Sequence, residues 1–149
     1  MHARARSNRR LSRSLDRTLT RKKVIELLRR NKPLEDVDLR GLDLSGLSFD
    51  NVCLRSAKMA NANLTSCSFR NSDLSGASLW QSDLQGAVLD GANLEGADLD
   101  MANLDGCSFL GARIRKTIFP DEEISPQVQD SVRSGRRIVM PRGSQLIED

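Results

Sequence analysis

A large apolar residue stands at every fifth position of this 149-residue chain, without interruption, from Leu39 to Phe119. A second series, made mostly of smaller residues, stands two positions before them, as Ala92 stands before Leu94. In a helix, five residues advance the direction by about 140°, so this period would spread the apolar residues around all sides. In a continuous strand, an odd period would send alternate residues to opposite faces. The repeat therefore excludes one long helix and one long strand.

The position two residues after each large apolar residue carries residue types that favour turns. The residues there are Gly41, Gly46, Asn51, Ser56, Asn61, Ser66, Asn71, Gly76, Gly86, Gly91, Gly96, Gly106 and Gly111, with Gln81, Met101 and Lys116 as exceptions. Gly, Asn and Ser accept turn conformations at low energetic cost. The pattern predicts a chain that turns every five residues and keeps its apolar side chains inside, which is a solenoid.

Residues 92–106 read Ala-Asn-Leu-Glu-Gly, Ala-Asp-Leu-Asp-Met and Ala-Asn-Leu-Asp-Gly. These units resemble the A(D/N)LXX consensus of pentapeptide repeat proteins, and the resemblance covers residues 37–121. It implies an all-β solenoid, a right-handed quadrilateral β-helix of just over four coils with four pentapeptides in each. Residues twenty positions apart would then share a side.

The large apolar positions supply the predicted structural core. Its members include Leu44, Phe49, Leu64, Phe69, Leu84, Leu89, Leu94, Leu104 and Phe109. Cys67 and Cys107 stand in the small apolar position, and we interpret them as buried space-fillers. Three cysteines without a CxxC spacing do not indicate a disulfide framework. They favour a reduced, cytoplasmic protein; a secreted effector and an organelle-targeted protein are the alternatives.

The chain divides into four segments. We expect a disordered basic arm in residues 1–17, a capping helix in residues 18–36, the repeat column in residues 37–121, and a C-terminal cap and tail in residues 122–149. Pro126 is typical of the first turn of a helix and places a short helix in the C-terminal cap. No apolar run reaches the length of a transmembrane helix, so none is expected.

Charge is distributed unevenly along the chain. Residues 1–36 hold twelve basic and four acidic residues, a net charge of +8, whereas residues 37–111 hold four basic and ten acidic residues, a net charge of −6. The arginines of the arm are candidates for contact with nucleic acid or an anionic membrane: Arg4, Arg6, Arg9, Arg10, Arg13 and Arg17. An organelle presequence and a solvated tail are the other interpretations of this arm.

The sequence favours a protein that is not an enzyme. The only histidine is His2, which lies in the arm, so no histidine-based acid–base pair, triad or metal cluster can form. The glycines recur at the turn spacing and do not form a phosphate-binding loop. We therefore predict no catalytic residues, no metal, no cofactor and no small-molecule substrate.

The leading functional hypothesis is a protein-interaction module or scaffold that presents the outer faces of the column. Trp80, Asp98, Asp100 and Met101 are the candidate partner-binding residues, because an outward tryptophan is a typical interface anchor. Residues 122–149 folding over Trp80 is the structural alternative.

Two other functions remain open. Some pentapeptide repeat proteins mimic DNA and act on type II topoisomerases, so the resemblance adds this role as an alternative, and the acidic column is compatible with it. The third hypothesis is binding of nucleic acid or an anionic surface through the basic arm.

Overall fold

The computed structural model describes residues 19–121 and 124–139. A helix, α1 (Arg21–Arg29), precedes a column of stacked coils, and a second helix, α2 (Ile124–Ser134), follows it. The arginines that were predicted to form an electrostatic arm lie outside the described residues. Within the described part, no helix is long and apolar enough to cross a membrane.

Parallel β-bridges join residues that are 20 positions apart throughout the column, from Asp38–Lys58 to Asp98–Ile118. The constant offset means that four pentapeptides complete one coil. Each coil therefore has four sides, and the large apolar residues define them: side 1 holds Leu39, Met59, Leu79, Leu99 and Phe119; side 2 holds Leu44, Leu64, Leu84 and Leu104; side 3 holds Phe49, Phe69, Leu89 and Phe109; side 4 holds Leu34, Leu54, Leu74, Leu94 and Ile114.

The corners between sides share one backbone conformation. Every corner residue from Gly41 to Lys116 has a positive φ, including Gln81 at 55° and Met101 at 58°. The residue after each corner donates its N–H to the carbonyl oxygen three residues earlier, as in a type II turn. The residues that break the sequence pattern of the corners thus adopt the left-handed conformation that the stacked coils impose.

The large apolar side chains of the repeat form the interior of the column. All nine residues that the sequence placed in the core are fully buried: Leu44, Phe49, Leu64, Phe69, Leu84, Leu89, Leu94, Leu104 and Phe109. The rings of Phe49 and Phe69 stack on neighbouring coils with their centroids 5.0 Å apart and their planes 8° from parallel. Cys67 and Cys107 are buried in the small apolar positions.

Helix α1 covers the lower end of the column. The Thr20 hydroxyl caps the helix by accepting a hydrogen bond from the Lys23 N–H at 3.2 Å, and Val24 is fully buried against the first coil. The Arg21 guanidinium donates to the carbonyl oxygens of Asp43 at 3.2 Å and Ser45 at 2.9 Å. These carbonyls belong to an edge with no coil below it, so the arginine supplies the missing donors.

The regular hydrogen bonding of the column begins before the expected boundary at residue 37. The Leu34 N–H donates to the Cys53 carbonyl oxygen at 2.8 Å, and the Asp36 N–H donates to that of Arg55 at 2.9 Å. Leu34 is fully buried, so it fills a large apolar position one unit earlier. The sequence analysis assigned residues 18–36 to the capping helix, so this unit was not recognised.

Helix α2 and the residues after it cover sides 2 and 3 of the last coil. Three N–H groups of that coil donate to this cap: Gly106 to the Ile138 carbonyl oxygen at 2.8 Å, Phe109 to the Ser131 hydroxyl at 3.0 Å, and Gly111 to the Val132 carbonyl oxygen at 2.9 Å. The C-terminal cap thereby replaces the hydrogen bonds of a further coil.

Replacing Gln81 by Gly should stabilise the protein. A residue with a Cβ atom is strained at φ 55°, and relief of this strain exceeds the entropy cost of glycine, so we expect a gain of about 0.5–1 kcal/mol in the free energy of unfolding. Chemical denaturation measures the change. Gly96→Ala is the converse control. A Cβ atom at Gly96 would meet no other atom within 4 Å, so the only unfavourable effect is the strain of a residue with a Cβ atom at φ +68°. This variant should therefore be less stable than the wild type. Equal stability of both variants and the wild type would contradict the strain argument.

Only one of the three cysteines should react rapidly in the folded protein. Burial raises the pKa of the Cys67 thiol to about 11 and that of Cys107 to about 12, which suppresses the reactive thiolate, whereas Cys53 is only half-buried. A chromogenic thiol reagent at mildly alkaline pH should label one thiol per native chain and three per unfolded chain. Cys53→Ser should remove the fast reaction, and a fast reaction that persists in this variant would show that the core opens.

Candidate interaction surface

The Asp and Asn side chains at the bridge positions of the column bind their own backbone. In each case the side-chain Oδ1 atom accepts a hydrogen bond from the N–H two residues later, as Asp98 does from Asp100 at 2.9 Å. The same bond is made by Asp38, Asp43, Asn63, Asp73, Asp83, Asn93 and Asn103. This is an Asx turn, and it holds the strand residue in the geometry that precedes the corner.

The pKa of three of these carboxylates, Asp38, Asp43 and Asp73, lies below its ordinary value. At Asp73, desolvation raises the pKa but the hydrogen bonds from Ser75 outweigh it. The hydrogen bond from the Arg40 guanidinium lowers the pKa of Asp38, and the Ser45 hydroxyl lowers the pKa of Asp43. Both contacts lie near the lower end of the column. They stabilise the turns there and do not form a pocket.

Side 3 makes different contacts, because serine replaces Asp or Asn at three of its four bridge positions and Val88 stands at the fourth. Asp90 accepts hydrogen bonds from the Ser108 hydroxyl and from the Leu110 N–H at 2.9 Å, both on the next coil. Asp50 repeats the arrangement two coils lower with Ser68 and with the N–H 20 residues ahead. This contact was not predicted from the sequence. The pattern that indicates it is an Asp followed 18 residues later by a Ser.

These contacts account for most of the acidic residues that give the column its negative charge. Between Arg70 and Arg113 the chain has seven acidic residues. Five of them have their carboxylates in Asx turns, in the contact between coils on side 3, or in the 3.1 Å ion pair between Glu95 and Arg113: Asp73, Asp83, Asp90, Glu95 and Asp98. The structure thus gives these acids a local role within the fold.

The four predicted partner-binding residues lie together on the upper part of side 1. Trp80, Asp98 and Asp100 are half-buried, and the Met101 side chain is 59% exposed at its corner. The Gln81 side-chain amide lies 3.8 Å from the Met101 sulfur, which links the corners of two successive coils.

Ile118 joins this group and was not among the predicted residues. It bridges to Asp98 on the coil below and is 54% exposed. In the sequence, Ile118 is unusual because the position just before the large apolar residue, which forms the β-bridge, carries Asp, Asn or Ser in most units. We call Trp80, Asp98, Asp100, Met101 and Ile118 the side-1 patch. Among the described residues, no group of His, Cys, Asp and Glu has an arrangement that could hold a metal ion.

Comparison with protein families finds one family along the whole column. The family described as pentapeptide repeats (8 copies) matches residues 34–71, 72–111 and 82–119. The chain belongs to the pentapeptide repeat family. No curated protein sequence matches this pentapeptide repeat protein significantly.

Solved structures of other pentapeptide repeat proteins resemble this one. A protein from Nostoc PCC 7120 is 32% identical, with a TM-score of 0.56 over 73% of this chain and 93% of that chain. A protein from the thylakoid lumen of Arabidopsis thaliana is 32% identical, with a TM-score of 0.55 over 56% of this chain and 58% of that chain. A protein from the cyanobacterium Cyanothece is 32% identical, with a TM-score of 0.40 over 56% of each chain. The match therefore spans little more than half the length of two of these proteins.

Asp90→Ala should destabilise this pentapeptide repeat protein. The change removes the acceptor of two hydrogen bonds between coils and leaves the buried Ser108 hydroxyl without it, so we expect a loss of about 1–3 kcal/mol in chemical denaturation. Asp90→Asn keeps an acceptor oxygen and should lose less. Asp98→Asn keeps its Asx turn and should have the wild-type stability. The interpretation fails if Asp90→Ala unfolds at the wild-type denaturant concentration.

Proposed function

We propose that this pentapeptide repeat protein is a non-enzymatic interaction module or scaffold that binds another protein through the side-1 patch. The single observation that carries the proposal is the exposure of Met101 and Ile118 beside Trp80 on one side of the column. Apolar and aromatic side chains with acids at their margin are typical of the centre and rim of a protein interface. The proposal also gives the column the right-handed coiling of the pentapeptide repeat family. It places the protein in the cytoplasm, which the three free thiols support.

The conformation of Met101 supports this assignment. A methionine at φ 58° costs stability at a corner where Gly or Asn would be relaxed. Its side chain is largely in solvent and packs no core, so the fold gains little from it. An interaction with a partner gives a physical reason for this residue at this corner.

The column also suits the role because it presents its outer side chains on a fixed lattice. Successive coils are joined by backbone hydrogen bonds such as that from the Leu79 N–H to the Asp98 carbonyl oxygen at 2.7 Å. A surface that is ordered before binding loses little conformational entropy when a partner docks. The side-1 patch spans three successive coils, so its residues keep their spacing.

Mimicry of DNA toward a type II topoisomerase and binding of nucleic acid through the arm remain alternatives. Mimicry of DNA would use the carboxylates of Asp98 and Asp100 in place of phosphates. The Asp98 carboxylate also stabilises an Asx turn, which explains its presence without a ligand. The arm lies outside the described residues. Neither alternative draws support from a particular contact on side 1.

Met101→Glu should abolish capture of the partner. Full-length protein immobilised at one end would be exposed to a lysate, with quantitative identification of the bound proteins. A charge in the middle of the apolar surface must be desolvated on binding, so a partner of the side-1 patch should bind this variant at least about tenfold more weakly. Isothermal titration with the purified partner would measure this change.

Ser66→Glu is the matched control because Ser66 is also an exposed corner residue with positive φ, at 57°, but follows side 2. It should retain the partner. A protein retained equally by both variants does not bind the side-1 patch, and an identical set of captured proteins for all variants refutes the proposal. Deletion of residues 1–17 distinguishes a partner of the arm from a partner of the column.

A further inference from the structure

Among the described residues, the C-terminal cap covers sides 2 and 3 at the upper edge of the column, and nothing covers side 4. Whereas Gly106, Phe109 and Gly111 donate to the C-terminal cap, the N–H groups of Ile114 and Lys116 have no hydrogen-bond acceptor among the described residues. Within the described residues, the Ala112 carbonyl oxygen likewise accepts no backbone hydrogen bond. Ile114 itself is only half-buried, unlike the leucines below it on side 4.

One coil lower, the equivalent N–H and carbonyl groups show which hydrogen bonds form when a strand lies above them. There the Leu94 N–H donates to the Arg113 carbonyl oxygen at 2.8 Å, and the Gly96 N–H donates to that of Arg115 at 3.1 Å. The Arg113 N–H in turn donates to the Ala92 carbonyl oxygen at 2.9 Å. Ile114, Lys116 and Ala112 are the equivalents of Leu94, Gly96 and Ala92 one coil higher. They offer the same three hydrogen bonds to an incoming strand.

The charge of this edge is opposite to that of the column. The outward positions Asn93 and Glu95 of the coil below correspond to Arg113 and Arg115 at the edge. The corner Gly96 corresponds to Lys116. Arg113 forms an ion pair with Glu95 at 3.1 Å, and all three basic side chains belong to exposed residues. Positive side chains discourage a strand of the same charge at an open edge and favour one of opposite charge.

We propose that the edge from Ala112 to Lys116 binds an extended acidic segment of a partner protein, which adds a strand above side 4. Stacked residues point the same way in this fold, so the register specifies the segment. An acidic residue lies above Arg113, an apolar residue covers Ile114, and a second acidic residue lies above Arg115. The recognised sequence is therefore acid–apolar–acid, bound by strand addition. This site is separate from the side-1 patch.

The test is an NMR titration of the full-length, ¹⁵N-labelled protein with the peptide acetyl-Ser-Asp-Leu-Asp-Gly-amide. Because three hydrogen bonds are formed, binding should become visible at millimolar peptide, and the amide resonances of Ile114 and Lys116 should shift together. The peptide with Lys in place of both Asp residues should give no shifts. The acidic peptide with an N-methyl group on its first Asp cannot donate to the Ala112 carbonyl oxygen and should bind about tenfold more weakly.

Arg115→Glu should also weaken the acidic peptide by about tenfold, because an attraction above the edge becomes a repulsion. Arg136→Glu is the matched control, since it makes the same charge change at an exposed arginine of the C-terminal cap, and it should bind normally. Met101→Glu should bind normally as well, so failure of the side-1 patch and failure of this edge are distinguishable.

Three results would overturn the proposal. The acidic peptide could leave the Ile114 and Lys116 amides unmoved, or the N-methylated peptide could bind as well as its parent, which would show charge attraction without strand addition. A chain that ends at Val139 could show shifted Ile114 and Lys116 amides before any peptide is added. The chain's own terminal residues would then occupy the edge, in place of a partner.

Discussion

Backbone hydrogen bonds between coils are the interaction on which the rest of the structure depends. The Leu39 N–H donates to the Lys58 carbonyl oxygen, and the Lys58 N–H donates to that of Val37, so main-chain groups join each coil to the next one along the whole column. Since side chains take no part in these bonds, almost any outward residue is compatible with them. The inward positions and the left-handed corners, by contrast, favour particular residue types, and this difference produces the five-residue pattern.

The ends of such a column must satisfy main-chain groups that have no further coil to bind. The lower end uses a side chain, the Arg21 guanidinium, to supply donors to two carbonyl groups. The upper end uses backbone and hydroxyl groups from α2 and the residues after it, among them Ser131 and Ile138. These caps follow no repeat, which explains why the sequence indicated a helix at each end but not the hydrogen bonds that each end makes.

The sequence was sufficient to predict the column, because period, core and corners are all local properties of five residues. It placed Leu44 and Phe109 inside, and both are fully buried. It did not indicate the diagonal contact from Asp90 to Ser108 on the next coil, nor the first unit at Leu34, which had been assigned to the capping helix. Four residues of the side-1 patch were candidates from the sequence, and Ile118 was not, because its neighbour Phe119 explained the repeat without it.

In a repeat of this kind, residues that depart from the consensus without serving the fold carry the most information about function. Asp83 and Asp98 are ordinary consensus acids that hold turns, so their charge alone is weak evidence for a ligand. Met101 has the opposite character, because its corner conformation costs stability and its side chain is largely in solvent. Natural proteins retain such local conflicts mainly where a functional site requires them. Binding by this column is therefore best sought where the consensus fails, on side 1 and at the open edge of side 4.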